Sequence, residues 1–148
     1  MMKSVMIKFL LCLFPLFLLA DRPAPSVSTV TVTITGIRAT SGTIRIGLYT
    51  SESTFADEIP LKRIVLPKTT LQSGHLVTTL QLPYGTYGIA LMDDENGNEE
   101  MDYGFILPEE GFGFSNYYHT GLSKPSFSDF KFSVQGSATS VSVKLKYM

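Results

Sequence analysis

The alternation of apolar residues with threonine and serine is the feature that most restricts the fold of this chain. Val30, Val32 and Ile34 alternate with three threonines. A period of two places the apolar residues on one face of a β-strand and the polar residues on the other. Similar patterns, bounded by turn residues, recur at 44–48, 76–82, 87–91, 130–134 and 141–147. The sequence therefore predicts an all-β fold.

Apolar residues almost nowhere recur at the intervals of three and four residues that are typical of a helix. Only the segment from Ser53 to Glu58 suits a helical turn or two. Short alternating strands separated by turns are typical of two sheets packed face to face. We therefore predict one domain, residues 29–148, folded as an antiparallel β-sandwich of about seven strands with immunoglobulin-like or transthyretin-like topology.

The first 20 residues have the composition of a secretory signal peptide. Lys3 and Lys8 precede an apolar stretch at 9–19, which ends at the small residue Ala20. This stretch is shorter than the roughly 20 apolar residues of a membrane-spanning helix. A retained anchor and acylation of Cys12 are the alternatives. Two prolines predict an extended leader over 21–28, and no membrane span is expected after cleavage.

Composition limits the partners of the mature chain. Cleavage after Ala20 removes the one cysteine, so disulfides cannot stabilise the domain. It also removes two of the 12 basic residues, leaving ten against 13 acidic residues and a net charge of −3. The longest basic run is Lys62-Arg63. Nucleic acid is therefore not an expected partner.

A ladder of oxygen-bearing side chains follows the apolar segment at 87–91. Calcium loops take ligands from positions 1, 3, 5, 7 (a main-chain carbonyl) and 9. The residues at these positions are Asp94, Asn96, Asn98, Glu100 and Asp102. Asp93 is an additional candidate ligand. The spacing predicts a Ca²⁺ site, and the lack of cysteine disfavours zinc or copper.

The sixth position of this loop departs from the usual pattern. Calcium loops carry glycine there because the backbone turns sharply, whereas this chain has Glu99, with Gly97 two residues earlier. An ordinary polar turn, in which Asn and Asp side chains cap backbone amides, is the alternative interpretation.

Aromatic residues are concentrated beyond the ladder. Phe112, Phe114, Tyr117 and Tyr118 lie on a glycine-rich segment and are candidate ligand-binding residues. Such side chains can stack on a glycan or hold an apolar peptide of an envelope protein. Alternatively, they pack back over the end of the sandwich and bind nothing.

Residue types for hydrolysis are present without a recognisable motif. His119 could combine with Asp129 or Glu110 and with Ser115 or Ser126, but no G-x-S-x-G elbow is present. A hydrolase that uses the loop acids and His119 is therefore an alternative to a protein without catalytic activity.

Three segments in order, 84–98, 111–116 and 124–130, resemble family 2141 of the domains of unknown function. The resemblance implies a small exported bacterial β-sandwich protein, periplasmic or secreted, and implies no activity. Members usually have glycine at the position of Glu99 and often histidine at that of Asp93. We expect a non-catalytic binding or accessory module with a calcium-stabilised loop. The alternatives are the hydrolase and an inert structural domain of the cell envelope.

Overall fold

The computed structural model describes residues 26–148, so the predicted signal peptide and residues 21–25 of the leader lie outside the described residues. The described part contains eight strands and two short α-helices. The strands are β1 (Val27–Thr35), β2 (Thr43–Tyr49), β3 (Lys62–Pro67), β4 (His75–Pro83), β5 (Gly85–Asp94), β6 (Gly111–Phe114), β7 (Lys131–Val134) and β8 (Ala138–Lys144). The helices are α1 (Glu52–Ala56) and α2 (Phe127–Phe130).

The strands form two sheets. One has three strands in the order β4-β1-β8, and the other has five, in the order β3-β2-β5-β6 with β7 also on β5. Gly88 of β5 pairs with β2 on one side and with β7 on the other, so β6 and β7 follow one another along the same edge of β5. All pairs are antiparallel except β1–β8, which is parallel. The predicted all-β, two-sheet fold is confirmed, with eight strands rather than about seven.

Aliphatic side chains from both sheets form the main core. Val32 of β1 and Val143 of β8 pack with Ile46 of β2 and Ile89 of β5, and all four are at most 1% exposed. Each such side chain contributes about 1.5–3 kcal/mol when it is fully buried. The period-two pattern in the sequence therefore corresponds to the faces that meet between the sheets.

A second, aromatic cluster covers the outer face of the five-stranded sheet. It contains Tyr49, Phe55, Phe114, Phe127 and Phe130. Both short helices contribute to it, and the Phe55 and Phe130 ring centroids are 4.8 Å apart. Since a side chain at Gly88 would collide with the Phe127 and Phe130 rings, a glycine is needed at this point of β5.

Several element boundaries differ from the predictions. The helical turn near Ser53 is confirmed as α1, which begins with a capping box between Ser51 and Thr54. Phe130 ends α2 instead of beginning a strand, because Ser126 and Asp129 form a second capping box. β1 begins at Val27, two residues before the predicted start of the domain, since Val27 pairs with Pro83 of β4.

Candidate metal centre

Asp94, the last residue of β5, is the most firmly held member of the ladder. Its Oδ2 accepts from Arg45 Nε at 2.6 Å and from the Glu99 amide at 3.2 Å, and its Oδ1 accepts from the Gly97 amide at 2.7 Å. Burial alone raises the pKa of Asp94, but these hydrogen bonds outweigh it and hold that pKa below its ordinary value. Asp94 is therefore an ionised carboxylate at the base of the loop at neutral pH.

Three further ladder side chains meet at Asp102. Asn98 Nδ2 donates to both carboxylate oxygens of Asp102, at 2.9 and 3.0 Å, and Asn96 Nδ2 donates to Asp102 Oδ2 at 2.5 Å. The amide oxygens of Asn96 and Asn98 accept from the Asn98 and Glu100 amides. Glu100, whose carbonyl is the predicted ligand, is exposed. The loop thus brings together side chains separated by up to six residues.

The backbone makes the sharp turn at the sixth position despite the glutamate there. Glu99 has φ 73° and Gly97 has φ 77°, both in the left-handed region. A non-glycine residue in that region carries a conformational cost of about 1–2 kcal/mol. Glu99 Oε1 also pairs with Arg45 Nη2 at 2.9 Å. The loop therefore keeps its turn, at the cost of local strain.

Asp93 belongs to a different cluster. Successive residues of a strand point to opposite faces, so the Asp93 side chain is directed between the sheets, away from Asp94. There it forms an ion pair with the buried Lys68 and accepts from Tyr147 Oη at 2.6 Å. Lys68 Nζ also donates to the carbonyls of Ala39 and Ser41. The structure therefore does not bring Asp93 to the ladder.

Glu110 lies beside the ladder, although its sequence position gives it no place in the loop. It is 4% exposed, and its Oε1 accepts from the Glu95 amide at 3.1 Å. Burial raises the pKa of Glu110, hydrogen bonds from the Glu95 and Asp102 amides offset part of that rise, and the negative charges of Asp94 and Asp102 add to it. The sequence offered Glu110 only as a candidate acid for hydrolysis.

Between Asp102 and Glu110 the chain forms a small hairpin with an apolar tip. The Glu109 amide donates to the Asp102 carbonyl and the Gly104 amide to the Leu107 carbonyl, both at 2.9 Å. At the tip, Phe105 is fully exposed and Ile106 is 74% exposed. We call residues 103–107 the apolar tip.

The predicted aromatic ligand-binding residues lie mostly within the fold. Phe114 is buried in the aromatic cluster, and Phe112 and Tyr117 are half-buried against it. Only Tyr118 is exposed, with Lys144 Nζ 5.0 Å from its ring centroid. This arrangement favours the alternative in which the aromatic segment packs back onto the sandwich.

The candidate hydrolytic residues are dispersed. His119 is buried against the rings of Phe112, Phe114 and Tyr117, and no hydrogen bond within residues 26–148 joins it to the candidate partners. Those partners have other contacts. The hydroxyl of Ser115 donates to the Phe130 carbonyl, and Ser126 and Asp129 cap α2.

Two wider features of the described chain concern metals and membranes. Across residues 26–148, no three His, Cys, Asp or Glu side chains form a group that could hold a metal ion. None of the helices in this part of the chain is long and apolar enough to cross a membrane.

One comparison with known proteins identifies a family. The model of the family described as "Uncharacterized protein conserved in bacteria (DUF2141)" matches residues 32–142, which include the ladder, Glu110 and six complete strands, β2 to β7. No curated protein and no solved structure matches the chain. The family match covers more than half of the sequence, so this chain belongs to the DUF2141 family of uncharacterized bacterial proteins.

Proposed function

We propose that this protein is an exported, non-catalytic accessory module in which the ladder binds Ca²⁺ and the apolar tip contacts a partner. The observation that carries the proposal is the convergence of Asn96 and Asn98 on Asp102, in the loop whose backbone amides are held by the buried carboxylate of Asp94. Carboxylate, amide and carbonyl oxygens are the ligands that Ca²⁺ takes in proteins, six to eight at a time.

The hydrogen bonds inside the ladder are compatible with this role. Each asparagine oxygen accepts one backbone amide and keeps a second lone pair that a cation could use, while its nitrogen donates to Asp102. Bound Ca²⁺ would replace the two amide nitrogens as the partner of the Asp102 carboxylate. The left-handed turn at Glu99 supports the same interpretation, because a calcium loop needs that turn at its sixth position.

Calcium would act on stability and not on chemistry. A ligand that binds only the folded state stabilises it by mass action. At millimolar Ca²⁺ and a dissociation constant of about 0.1 mM, the gain is about 1–2 kcal/mol. That is a substantial fraction of the stability of a small domain without disulfides.

The apolar tip is the surface we assign to partner binding. Phe105 and Ile106 expose large apolar side chains that no residue of the described chain covers. Burial of such side chains against a partner is favourable, and aromatic residues are enriched at protein interfaces. An apolar peptide segment of an envelope protein suits this surface better than a glycan does. Because the tip begins next to Asp102, calcium at the ladder would fix its base.

Export rests on the amino-terminal sequence. The charged and apolar composition of residues 1–20 is the basis for placing the mature protein in the periplasm or outside the cell. Amino-terminal sequencing of the protein recovered from the periplasmic fraction should begin at Asp21. Recovery of the intact chain from the cytoplasm would contradict export.

Thermal unfolding in millimolar Ca²⁺ and in EDTA tests the metal site. Calcium should raise the melting temperature of the wild type and not that of Asp102→Ala. Asp57→Ala, at an exposed aspartate beyond α1, is the matched control and should keep the full calcium response. Equal melting temperatures of the wild type in calcium and EDTA would refute the calcium proposal.

A further inference from the structure

We propose that Lys68 and Asp93 are joined by an isopeptide bond, formed between Lys68 Nζ and Asp93 Cγ with loss of one water. The bond is a covalent cross-link of this chain to itself. It is independent of the proposed function, since it needs neither calcium nor a partner. Residues 21–148 contain no cysteine, so this bond would supply the fixed connection that a disulfide supplies in other exported domains.

Both reacting side chains are enclosed by the fold. The Lys68 side chain is 1% exposed, that of Asp93 is fully buried, and the two are in direct contact. Burial of two charges is costly, and condensation to an amide removes both charges. The other lysine ion pair within residues 26–148 joins Lys124 and Glu58, whose side chains are 43% and 76% exposed to water. Of these two pairs, only Lys68 and Asp93 lie where water is excluded and amide formation is favoured.

The amine of Lys68 is held in place beside the carboxyl group. Its Nζ donates to the carbonyls of Ala39 at 3.0 Å and Ser41 at 2.7 Å. An ammonium group has three donors, so these two bonds leave one side of the nitrogen against Asp93. The contact there is an ion pair and not a formed hydrogen bond, because Asp93 Oδ1 accepts no hydrogen bond from residues 26–148. Fixing a nucleophile beside its target in this way replaces an encounter in solution by a reaction within one molecule.

Tyr147 supplies a hydrogen bond that activates the carboxyl group. Its Oη donates to Asp93 Oδ2 at 2.6 Å, whereas Lys68 contacts the other oxygen. The Arg38 amide donates to the same Oη at 3.2 Å, and Gly111 leaves room for the ring, since a Cβ there would collide with it. A donor fixed at the oxygen where negative charge develops stabilises the transition state of acyl transfer. Because Tyr147 touches the reacting carboxyl group, its role is catalytic.

The atoms and protons of the reaction balance within the pair. One Nζ proton of Lys68 passes to Asp93 Oδ1, which gives a neutral amine and a carboxylic acid. The amine lone pair attacks Cγ, and the negative charge that forms on Oδ2 faces the hydroxyl of Tyr147. A second Nζ proton passes to Oδ1, the Cγ–Oδ1 bond breaks, and water leaves. The third proton stays on the amide nitrogen, so the step needs no oxidant, reductant or further reactant.

The bond connects two strands that do not pair with each other. Lys68 directly follows β3, and Asp93 is the penultimate residue of β5, while β2 lies between these strands in the sheet. The loop that the bond closes contains β4 of the other sheet. A cross-link restricts the unfolded chain and thereby stabilises the folded one. It also fixes β5 at the residue directly before the ladder.

Intact-mass spectrometry of the purified protein in denaturant tests the inference. The wild type should be lighter by one water than the mass of its mature sequence. A tryptic digest should contain a branched peptide that joins Lys68 to Asp93, with no cleavage after Lys68. Lys124→Arg, at the exposed ion pair, is the matched control and should lose the same water. A wild type with its full sequence mass, or a water loss that maps to other residues, would overturn the inference.

Three variants identify the reacting groups. Lys68→Arg keeps a positive charge but has no amine, so it should retain its full mass. Asp93→Asn presents a carboxamide that reaches the same product by losing ammonia, so its linked form should have the mass of the linked wild type. Tyr147→Phe should form the bond about a hundredfold more slowly, because it lacks the donor to Oδ2. Intact masses at intervals after cell-free synthesis give the rates. Loss of water in Lys68→Arg, or a wild-type rate in Tyr147→Phe, would contradict the assigned chemistry.

Discussion

Ser115 and Ile89 exchange two hydrogen bonds where β6 ends and β7 begins along the edge of β5. The Ile89 amide donates to Ser115 Oγ, and the Ser115 amide donates to the Ile89 carbonyl, each at 2.9 Å. Ser115 Oγ also donates to the Phe130 carbonyl at 2.6 Å. This fully buried hydroxyl therefore connects three segments, a role unrelated to nucleophilic catalysis.

Replacement of Ser115 by alanine should destabilise the fold. The change leaves the Ile89 amide and the Phe130 carbonyl buried without this partner, which costs about 1–3 kcal/mol for each unsatisfied group. Urea unfolding would measure the loss. Ser140→Ala, at an exposed serine of β8, is the control, and a loss no larger than in that control would contradict the bridging role.

The buried ion pair of Lys68 and Asp93 should behave as a unit. Lys68→Met leaves the Asp93 charge buried with only Tyr147 as its partner, and such a loss costs about 3–5 kcal/mol. The double variant Lys68→Met/Asp93→Leu should lose less than the two single variants added together, by about 1–3 kcal/mol. Urea unfolding of all four forms gives this difference, and strict additivity would show that the pair is not coupled.

Relief of backbone strain at Glu99 should stabilise the metal-free protein. Glycine avoids the steric cost of about 1–2 kcal/mol but gains freedom in the unfolded chain worth about 0.4–1 kcal/mol, so Glu99→Gly should be more stable by about 0.5–1 kcal/mol. Glu99→Ala is the matched variant, because both changes remove the ion pair with Arg45 and only glycine removes the strain. Unfolding in EDTA at high ionic strength isolates the backbone effect. If the alanine variant is as stable as the glycine variant, strain is not the cause.

Stability should depend on pH through Glu95. Hydrogen bonding from Arg38 lowers the pKa of Glu95 and outweighs the effect of burial, so the folded state favours the charged form. A glutamate whose pKa is lowered by folding stabilises the folded state at pH values above its pKa in the unfolded chain, about 4.3. That stabilisation is lost as the pH falls through the lower pKa of the folded state. The wild type should exceed Glu95→Gln by about 0.5–1 kcal/mol at pH 7, since the pair is partly exposed.

The measurement is the unfolding free energy of the wild type and Glu95→Gln in EDTA from pH 7 to pH 3. The gap between the two should close towards pH 3. Glu58→Gln, at an exposed glutamate paired with Lys124, provides the comparison and should show a smaller gap. A gap that widens on acidification would contradict the assigned direction of the pKa shift.

The strands that the sequence predicted are those whose alternating residues fill the core between the sheets. β6 was missed because its sequence, Gly-Phe-Gly-Phe, contains residues with low strand propensity. Close approach of the end of the chain explains its glycines: a Cβ at Gly113 would lie 2.7 Å from Val143 Cγ1 in β8, and a Cβ at Gly111 would collide with the Tyr147 ring. β3 was missed because it begins with Lys62 and Arg63 and most of its residues are exposed, so it has no fully apolar face.

The candidate site was predictable where it depends on local spacing. Residues from Asp94 to Asp102 are close in sequence, so a loop pattern sufficed to identify them. Local spacing did not predict the position of Asp93, because strand alternation directs its carboxylate to Lys68, a partner 25 positions earlier in the sequence. Local spacing did not predict the position of Glu110 either, because that position depends on the closure of the hairpin at Asp102 and Glu109. The positions of Asp93 and Glu110 depend on contacts with residues distant in sequence, and residue type alone does not reveal such contacts.

The direction of β1 fixes the distance between the start of the described strands and the ladder. β1 begins beside Pro83, whereas its other end, at Thr35, lies near Lys144 and the ladder side of the sandwich. Nine residues of extended strand separate the two ends by about 30 Å. The start of β1 and the ladder therefore lie at opposite ends of the sandwich.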